Sequence, residues 1–280
     1  MSVNVTIKLD NSEKELQIKD VLFKGMRYGI MDAAYRLSEN EIGEVMVIFS
    51  EANLCRGYEI TLPPGQIELR LPIPTSDTDI RFFYSLVQKL CQKFATTDFW
   101  REDEKGSFAE IPDYIKEDIG LSERTLLMME EEIDAGKFNS LYLFGVLNPI
   151  AISKNDLREI DGSLQKLADF FQRHQAMDVY YAKPSVYQKN NESLFGVYVL
   201  SEDVVSVLPN KPGLFMGPKD MQIADWYVAF VIDDDLAGTI SYADFLANTE
   251  PSAEYDVEHF IISLNKRQMT KLLSFHAVQP

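Results

Sequence analysis

The stretch from Tyr58 to Leu71 constrains the fold more than any other. Apolar and polar residues alternate through Tyr58, Ile60 and Leu62, stop at Pro63-Pro64-Gly65, and alternate again through Ile67, Leu69 and Leu71. A period of two gathers one set of side chains on one face of an extended strand. The fixed proline φ and the flexible glycine then reverse the chain, so the stretch predicts a β-hairpin with one apolar face. The same signature recurs. Val3, Val5, Ile7 and Leu9, the turn Asp10-Asn11-Ser12, and then Leu16 and Ile18 predict a hairpin at the start of the chain. Ser185-Val186-Tyr187, the turn Lys189-Asn190-Asn191 and Leu194–Leu200 predict another, rich in aromatic and β-branched residues. Val45 to Phe49 and Trp226 to Ile232 are continuous apolar runs of strand length.

Helices interrupt this pattern where a capping residue precedes a period near 3.6. Ser76-x-x-Asp79 opens one that carries Ile80, Phe83, Tyr84, Val87, Leu90, Cys91 and Phe94, which places Cys91 in the core. Ser122 to Ala135 reads as helix with Gly136 as its stop, and Ser153-x-x-Asp156 opens a helix running to about Ala176. A short helix is expected from Ser241 to Asn248. Asn265-x-x-Gln268 opens a terminal one after the extended Phe260–Ser263. The fold class is therefore α+β: antiparallel, hairpin-rich sheets with capped helices packed on them. Residues 98–112 are charged and contain Gly106 and Pro112, which marks a seam between two subdomains, 1–112 and 113–280.

With 44 acidic against 27 basic side chains, the net charge is −17. Binding to nucleic acid or to an anionic membrane surface requires clustered Lys and Arg, so both are excluded as expected partners. The excess sits in two segments, −9 over residues 98–134 and −10 over 201–260. The start, Met1-Ser2-Val3-Asn4, lacks the basic and apolar regions of a signal peptide, and no stretch is long and apolar enough to span a bilayer. Two cysteines, Cys55 and Cys91, are too few for a disulfide framework, and a cytoplasmic setting is expected.

Three strings carry a resemblance: Tyr142-Leu143-Phe144-Gly145-Val146-Leu147-Asn148-Pro149, Phe195-Gly196-Val197-Tyr198-Val199-Leu200-Ser201-Glu202-Asp203-Val204, and Val207-Leu208-Pro209-Asn210-Lys211-Pro212. With Lys19-Asp20-Val21-Leu22 and Arg56-Gly57-Tyr58-Glu59 they make the chain resemble a family of uncharacterised proteins of low-GC Gram-positive bacteria, known as a domain of unknown function. The resemblance covers nearly the whole chain and implies a bacterial, cytosolic protein. It carries no catalytic or binding residue across.

The chemistry-bearing motifs are sparse. There is no G-x-G-x-x-G and no G-x-S-x-G. Gly213-x-x-x-Gly217-Pro218-Lys219-Asp220 is one residue short of a P-loop and has Asp where the magnesium-binding hydroxyl belongs. His174 and His276 lie late in helices, where the dipole favours a cation. Asp256-x-x-His259 lies in chain that reads as extended, which separates the two side chains. Tyr180, Tyr181, Tyr187, Phe195 and Tyr198 read as the cover of a sheet face.

The sharpest local signal runs from Asp233 to Phe245 and resembles an EF-hand calcium loop. Asp233 and Asp235 fall at its first and third positions, Gly238 at the sharp turn, Ile240 at the apolar eighth place and Asp244 at the twelfth. Ala237 supplies no ligand, and Asp244 is shorter than the usual bidentate Glu. The function expected from the sequence is a non-enzymatic module that needs no cofactor and whose acidic segments engage a basic protein partner. The alternatives are an enzyme whose site assembles only in three dimensions and a calcium-responsive module. Oligomeric state is not encoded in these patterns.

Overall fold

The computed structural model describes residues 1–10, 15–32, 35–189, 193–214 and 222–278, and the chain divides into two compact units, Met1–Ala176 and Met177–Pro280. Both are α+β, as the alternating patterns predict.

In the first unit the elements are β1 (Ser2–Lys8), α1 (Ile18–Val21), β2 (Met26–Met31), β3 (Leu37–Glu39), β4 (Met46–Ser50), β5 (Asn53–Thr61), β6 (Gln66–Pro72), α2 (Asp77–Lys93), β7 (Phe99–Arg101), β8 (Glu104–Lys105), α3 (Ile111–Asp134), β9 (Ser140–Phe144), β10 (Pro149–Ser153), α4 (Lys154–Ile160) and α5 (Leu164–Gln175). Among the described residues, eight of these strands form one antiparallel sheet in the order β3-β2-β4-β5-β6-β1-β7-β8, and β9 and β10 pair separately. The Tyr58–Leu71 hairpin is β5–β6, with Ile60 opposite Leu69 and Glu59 opposite Arg70. Its apolar face, with Val3, Val5 and Ile7 of β1, buries against Ile80, Phe83, Val87 and Leu90 of α2. Ser76 caps α2 by accepting the Asp79 N–H at 3.0 Å, and Cys91 is fully buried.

Besides α3, which begins at Ile111 rather than at the expected Ser122, the structure differs from the sequence expectations at three places in this unit. β1 pairs with β6 and β7 rather than with the segment holding Leu16 and Ile18. Ile18 instead opens α1, because the Asp20 carboxylate accepts the Gln17 N–H at 2.9 Å and one helical turn buries Leu16, Ile18 and Val21 together. Asn11 and Ser12 of the expected turn lie outside the described residues. The helix expected over 153–176 is two, α4 and α5. Asp161 (φ +52°) and Gly162 (φ +65°) break it and Ser163 caps the second, while Ile160 and Leu164, four apart, keep the apolar face in phase.

The third difference is the seam at 112. Residues 98–112 complete the sheet: Phe99 and Arg101 of β7 lie opposite Ile7 and Val5, and Phe99 is fully buried. Pro112 sits in the first turn of α3, where a missing N–H costs nothing. α3 is fixed to α2 and β7 through a closed polar ring. The Tyr84 hydroxyl donates to Asp118 at 2.6 Å, Arg101 Nη2 donates to the other Asp118 oxygen at 2.6 Å, and Arg101 Nε donates to the Tyr84 hydroxyl at 2.9 Å. A boundary at 112 would cut this ring, so the first unit runs on to Ala176.

The second unit contains β11 (Tyr180–Tyr181), β12 (Ser185–Lys189), β13 (Ser193–Ser201), β14 (Ser206–Pro209), β15 (Ile223–Ile232), β16 (Asp235–Ser241), α6 (Tyr242–Asn248), β17 (Ala253–Asp256), β18 (His259–Ile262), α7 (Lys266–His276) and β19 (Ala277–Val278). Among the described residues they build a four-stranded sheet, β11-β14-β18-β17, and a five-stranded one, β12-β13-β15-β16-β19. The expected hairpin is β12–β13, its turn residues Asn190 and Asn191 lying outside the described residues. β13 pairs in parallel with β15, and Gly196 admits the Trp226 ring, with which a Cβ would clash. Tyr198, Phe230, Tyr242, Phe245, Phe260 and Met269 form the core, and α7 opens with the expected Asn265–Gln268 capping box. Among the described residues no helix is long and apolar enough to cross a membrane.

Candidate ligand pocket

The first unit contains a cavity of about 620 Å³, with walls from β2, β4, β5, β6, α3 and β9. Its position follows from one glycine. Gly57 has φ +65°, and a Cβ there would lie 2.9 Å from the Ile48 carbonyl oxygen. The β4–β5 register shifts beside it, so this is a bulge of the kind glycine makes cheap. Strict alternation would place Cys55 and Tyr58 on opposite faces. With the extra residue both enter the core, and Arg56 joins Glu59 on the cavity wall.

Arg56 is clamped from two sides. Its Nε donates to the Phe144 carbonyl at 3.0 Å and its Nη1 to the Pro74 carbonyl at 2.8 Å, which uses two of the five guanidinium donors. Among the described residues no carboxylate oxygen lies within 4 Å of its guanidinium nitrogens. Behind it sits Asp79, 2% exposed, whose carboxylate accepts from Asn53 Nδ2 at 2.5 Å, the Thr75 hydroxyl at 2.7 Å, the Arg56 backbone N–H at 3.3 Å and the Tyr58 hydroxyl at 3.4 Å. Burial pushes the Asp79 carboxyl above the ordinary carboxylate range, against the pull of those donors. Burial also lowers the Arg56 guanidinium to about 10, which leaves it charged at neutral pH.

The remaining walls are apolar or internally neutralised. Met31, Val47, Ile73, Met129, Leu143 and Phe144 supply the apolar surface, and the Tyr35 ring stacks on Phe144 with centroids 4.3 Å apart. Glu59 is ion-paired with Arg70 at 2.5 Å, and Glu132 with Lys137 at 3.5 Å. A wider groove of about 910 Å³, bounded by Lys19, Glu44 and Glu68, is more open. Its Glu68 is already held by Thr61 and Gln66.

A family model described as a domain of unknown function (DUF4299) matches residues 2–272. The chain belongs to this family. No curated protein and no solved structure matches it. The match spans both units, so the bulged strand and its cavity lie within the DUF4299 region.

The residues singled out in the sequence are distributed differently in the DUF4299 chain. Asp233 and Asp234, at φ +52° and +65°, form the two-residue turn of the β15–β16 hairpin, and Asp233 is paired with Lys266. Asp235 opens β16, whose extended residues carry the chain about 20 Å at ~3.3 Å per residue before Asp244, which bonds Ser241 in the first turn of α6. The strand keeps Asp233 and Asp235 apart from Asp244, where an EF-hand loop would fold them together. Among the described residues no three His, Cys, Asp or Glu side chains are grouped to hold a metal. Gly217 to Asp220 of the P-loop-like string lie outside the described residues.

Asp256 and His259 are brought together, contrary to the expectation. The β17–β18 turn makes them cross-strand partners, with Asp256 Oδ1 2.8 Å from His259 Nδ1 and the Tyr181 hydroxyl 2.8 Å from His259 Nε2. All three are buried. The ring nitrogens are thus occupied within the core, as His174 Nδ1 is by the Phe170 carbonyl at 2.8 Å. Both thiols are buried, and burial raises Cys55 and pushes Cys91 up to about 11.

The acidic segment 98–134 is partly neutralised by its neighbours: Asp118 and Glu117 by Arg101, Asp98 by Lys105, Asp134 by Lys154, and Glu130 by Arg158. Sequence reasoning missed the pocket altogether. Its one legible signal was Gly57 immediately before the alternating run that starts at Tyr58, a place where a bulge can form.

Proposed function

We propose that this DUF4299 protein is a non-enzymatic binding module whose ligand occupies the Arg56 cavity. One observation carries the reading: a charged guanidinium with donors to spare, fixed by two carbonyls, on the wall of a largely apolar cavity within the size range of small-molecule sites. Binding is favoured over catalysis because, among the described residues, no histidine, cysteine or serine lines the cavity, its Glu59 and Glu132 are ion-paired with Arg70 and Lys137, and the Thr125 hydroxyl donates to the Leu121 carbonyl at 2.8 Å. A bacterial cytosolic setting, implied by the sequence resemblance, is part of the proposal and is supported by two free, buried cysteines. Docking of a basic protein on the acidic segments has less support in 98–134, where Lys154, Arg158 and Lys137 from outside the segment pair with Asp134, Glu130 and Glu132.

The test is a ligand-observed NMR screen of a small-molecule library, with hits mapped on the methyl resonances of Val47, Met129 and Leu143. Hits that perturb those methyls, and lose affinity when Met31→Trp fills the cavity, are expected. A library whose hits all map elsewhere would refute the reading.

A further inference from the structure

We propose that the cavity takes a small amphipathic carboxylate, its oxygens on the remaining Arg56 donors and its aliphatic or aromatic body along Met31, Val47, Leu143 and Phe144. This rests on the cavity being a binding site, and the experiment below fails separately for the two claims.

Charge is the first argument. In a chain of net charge −17, an anion binds only where a local cation is left over. Among the described side chains around the cavity, Glu59 cancels Arg70 and Lys137 cancels Glu132, which leaves the guanidinium of Arg56 as the side-chain cation. The Asp79 carboxylate behind it is engaged by four donors and lies beyond 4 Å from the guanidinium nitrogens.

Geometry is the second. Carbonyls of two separate chain segments, at Pro74 and Phe144, fix the plane of the fork before any ligand arrives. A planar, pre-oriented guanidinium matches the two oxygens of a carboxylate, and little ordering is left to do on binding. Size and surface are the third. About 620 Å³ is roughly twenty water volumes at ~30 Å³ each, room for a body of six to ten carbons, and the lining beyond the arginine is mainly methionine, valine, leucine and aromatic. An apolar wall of this kind gains about 0.8 kcal/mol per buried methylene, so each added carbon strengthens binding roughly fourfold until the cavity is full.

The experiment is isothermal titration of the full chain with hexanoate, octanoate, 1-octanol, octylamine and octyl phosphate, repeated on Arg56→Gln, Arg56→Lys and Met31→Trp. Octanoate is expected to bind roughly fifteenfold more tightly than hexanoate, and at least tenfold more tightly than octanol or octylamine. Arg56→Gln should cost octanoate tenfold or more and leave octanol unchanged, with Arg56→Lys in between. Should the glutamine variant not fold, Met31→Trp decides the apolar half by weakening octanoate and octanol alike. Octanol or octylamine binding as well as octanoate, or octanoate indifferent to Arg56→Gln, overturns the anion assignment while the cavity stays a site. Octyl phosphate binding more tightly than octanoate overturns the choice of carboxylate. Failure of all five probes overturns this proposal, whereas the library screen alone decides the site itself.

Discussion

Replacing Arg101 by leucine is the sharpest test of how the first unit is held together. Asp118 is fully buried, and its carboxylate has two partners, the Tyr84 hydroxyl and Arg101 Nη2, each at 2.6 Å. The Arg101 side chain is 15% exposed, so the pair is shielded from the solvent that makes surface ion pairs weak. Removing the cation alone strands a buried carboxylate, at a cost of about 3–5 kcal/mol. With a urea slope of about 2 kcal/mol/M, the midpoint of the first unit should fall by about 1.5–2.5 M in R101L. Replacing the whole ring with Arg101→Leu, Asp118→Leu and Tyr84→Phe should recover most of that loss, because no charge or hydroxyl is then left stranded. Glu117, which meets the same arginine at 3.2 Å but is 60% exposed, should cost under about 1 kcal/mol when changed to alanine.

Burial raises the Asp118 carboxyl, more than Tyr84 and Arg101 pull it down. The folded chain therefore takes up this proton more readily than the unfolded chain. That contribution to stability is present at low pH and lost as pH rises through the folded value. Without Arg101 the carboxyl rises further, so the deficit of R101L should narrow as pH falls. Urea curves at several pH values check both claims. A deficit below about 1 kcal/mol at neutral pH, or a triple variant as unstable as R101L, would refute the argument.

Lys154 donates to Asp134 and holds its carboxyl below the ordinary range; Lys154→Ala should raise the Asp134 midpoint in an NMR titration, and the stability this contact adds should fade as pH falls through the folded value. With Cys91 at about 11 and both thiols buried, neither cysteine should react with a disulfide reagent at pH 8 until urea unfolds the chain. Residues 177–280, which have their own core, should fold when expressed alone, whereas residues 1–112, deprived of α3, should give no cooperative unfolding transition. Gly57→Ala should destabilise the chain by more than about 1 kcal/mol, since it adds a Cβ at positive φ and against the Ile48 carbonyl.

The fold class was legible because its evidence is local. The alternation around Pro63-Pro64-Gly65 and the caps at Ser76, Ser153, Ser241 and Asn265 act within a few residues and survive in the structure. What failed was non-local. Nothing near Val3 says that its partner is Leu71, and nothing in the charged run 98–112 says that Phe99 is covered by the sheet. The calcium-like spacing of Asp233, Asp235 and Asp244 was legible as a pattern, but a hairpin turn and a strand express it as separate carboxylates. The cavity was illegible for the same reason, since Arg56, Pro74 and Phe144 meet only after three distant segments have folded.

β1 carries a final consequence. It lies inside the large sheet, held by β6 along one edge and β7 along the other. It is synthesised before both, so it gains one neighbour only after residue 66 is made and the other only after residue 99. Until then its unsatisfied amides and the valine–isoleucine row stay available to any other bare strand nearby. Cells making this polypeptide quickly thus face a clumping hazard in that interval, and slower decoding or a holding chaperone would ease it.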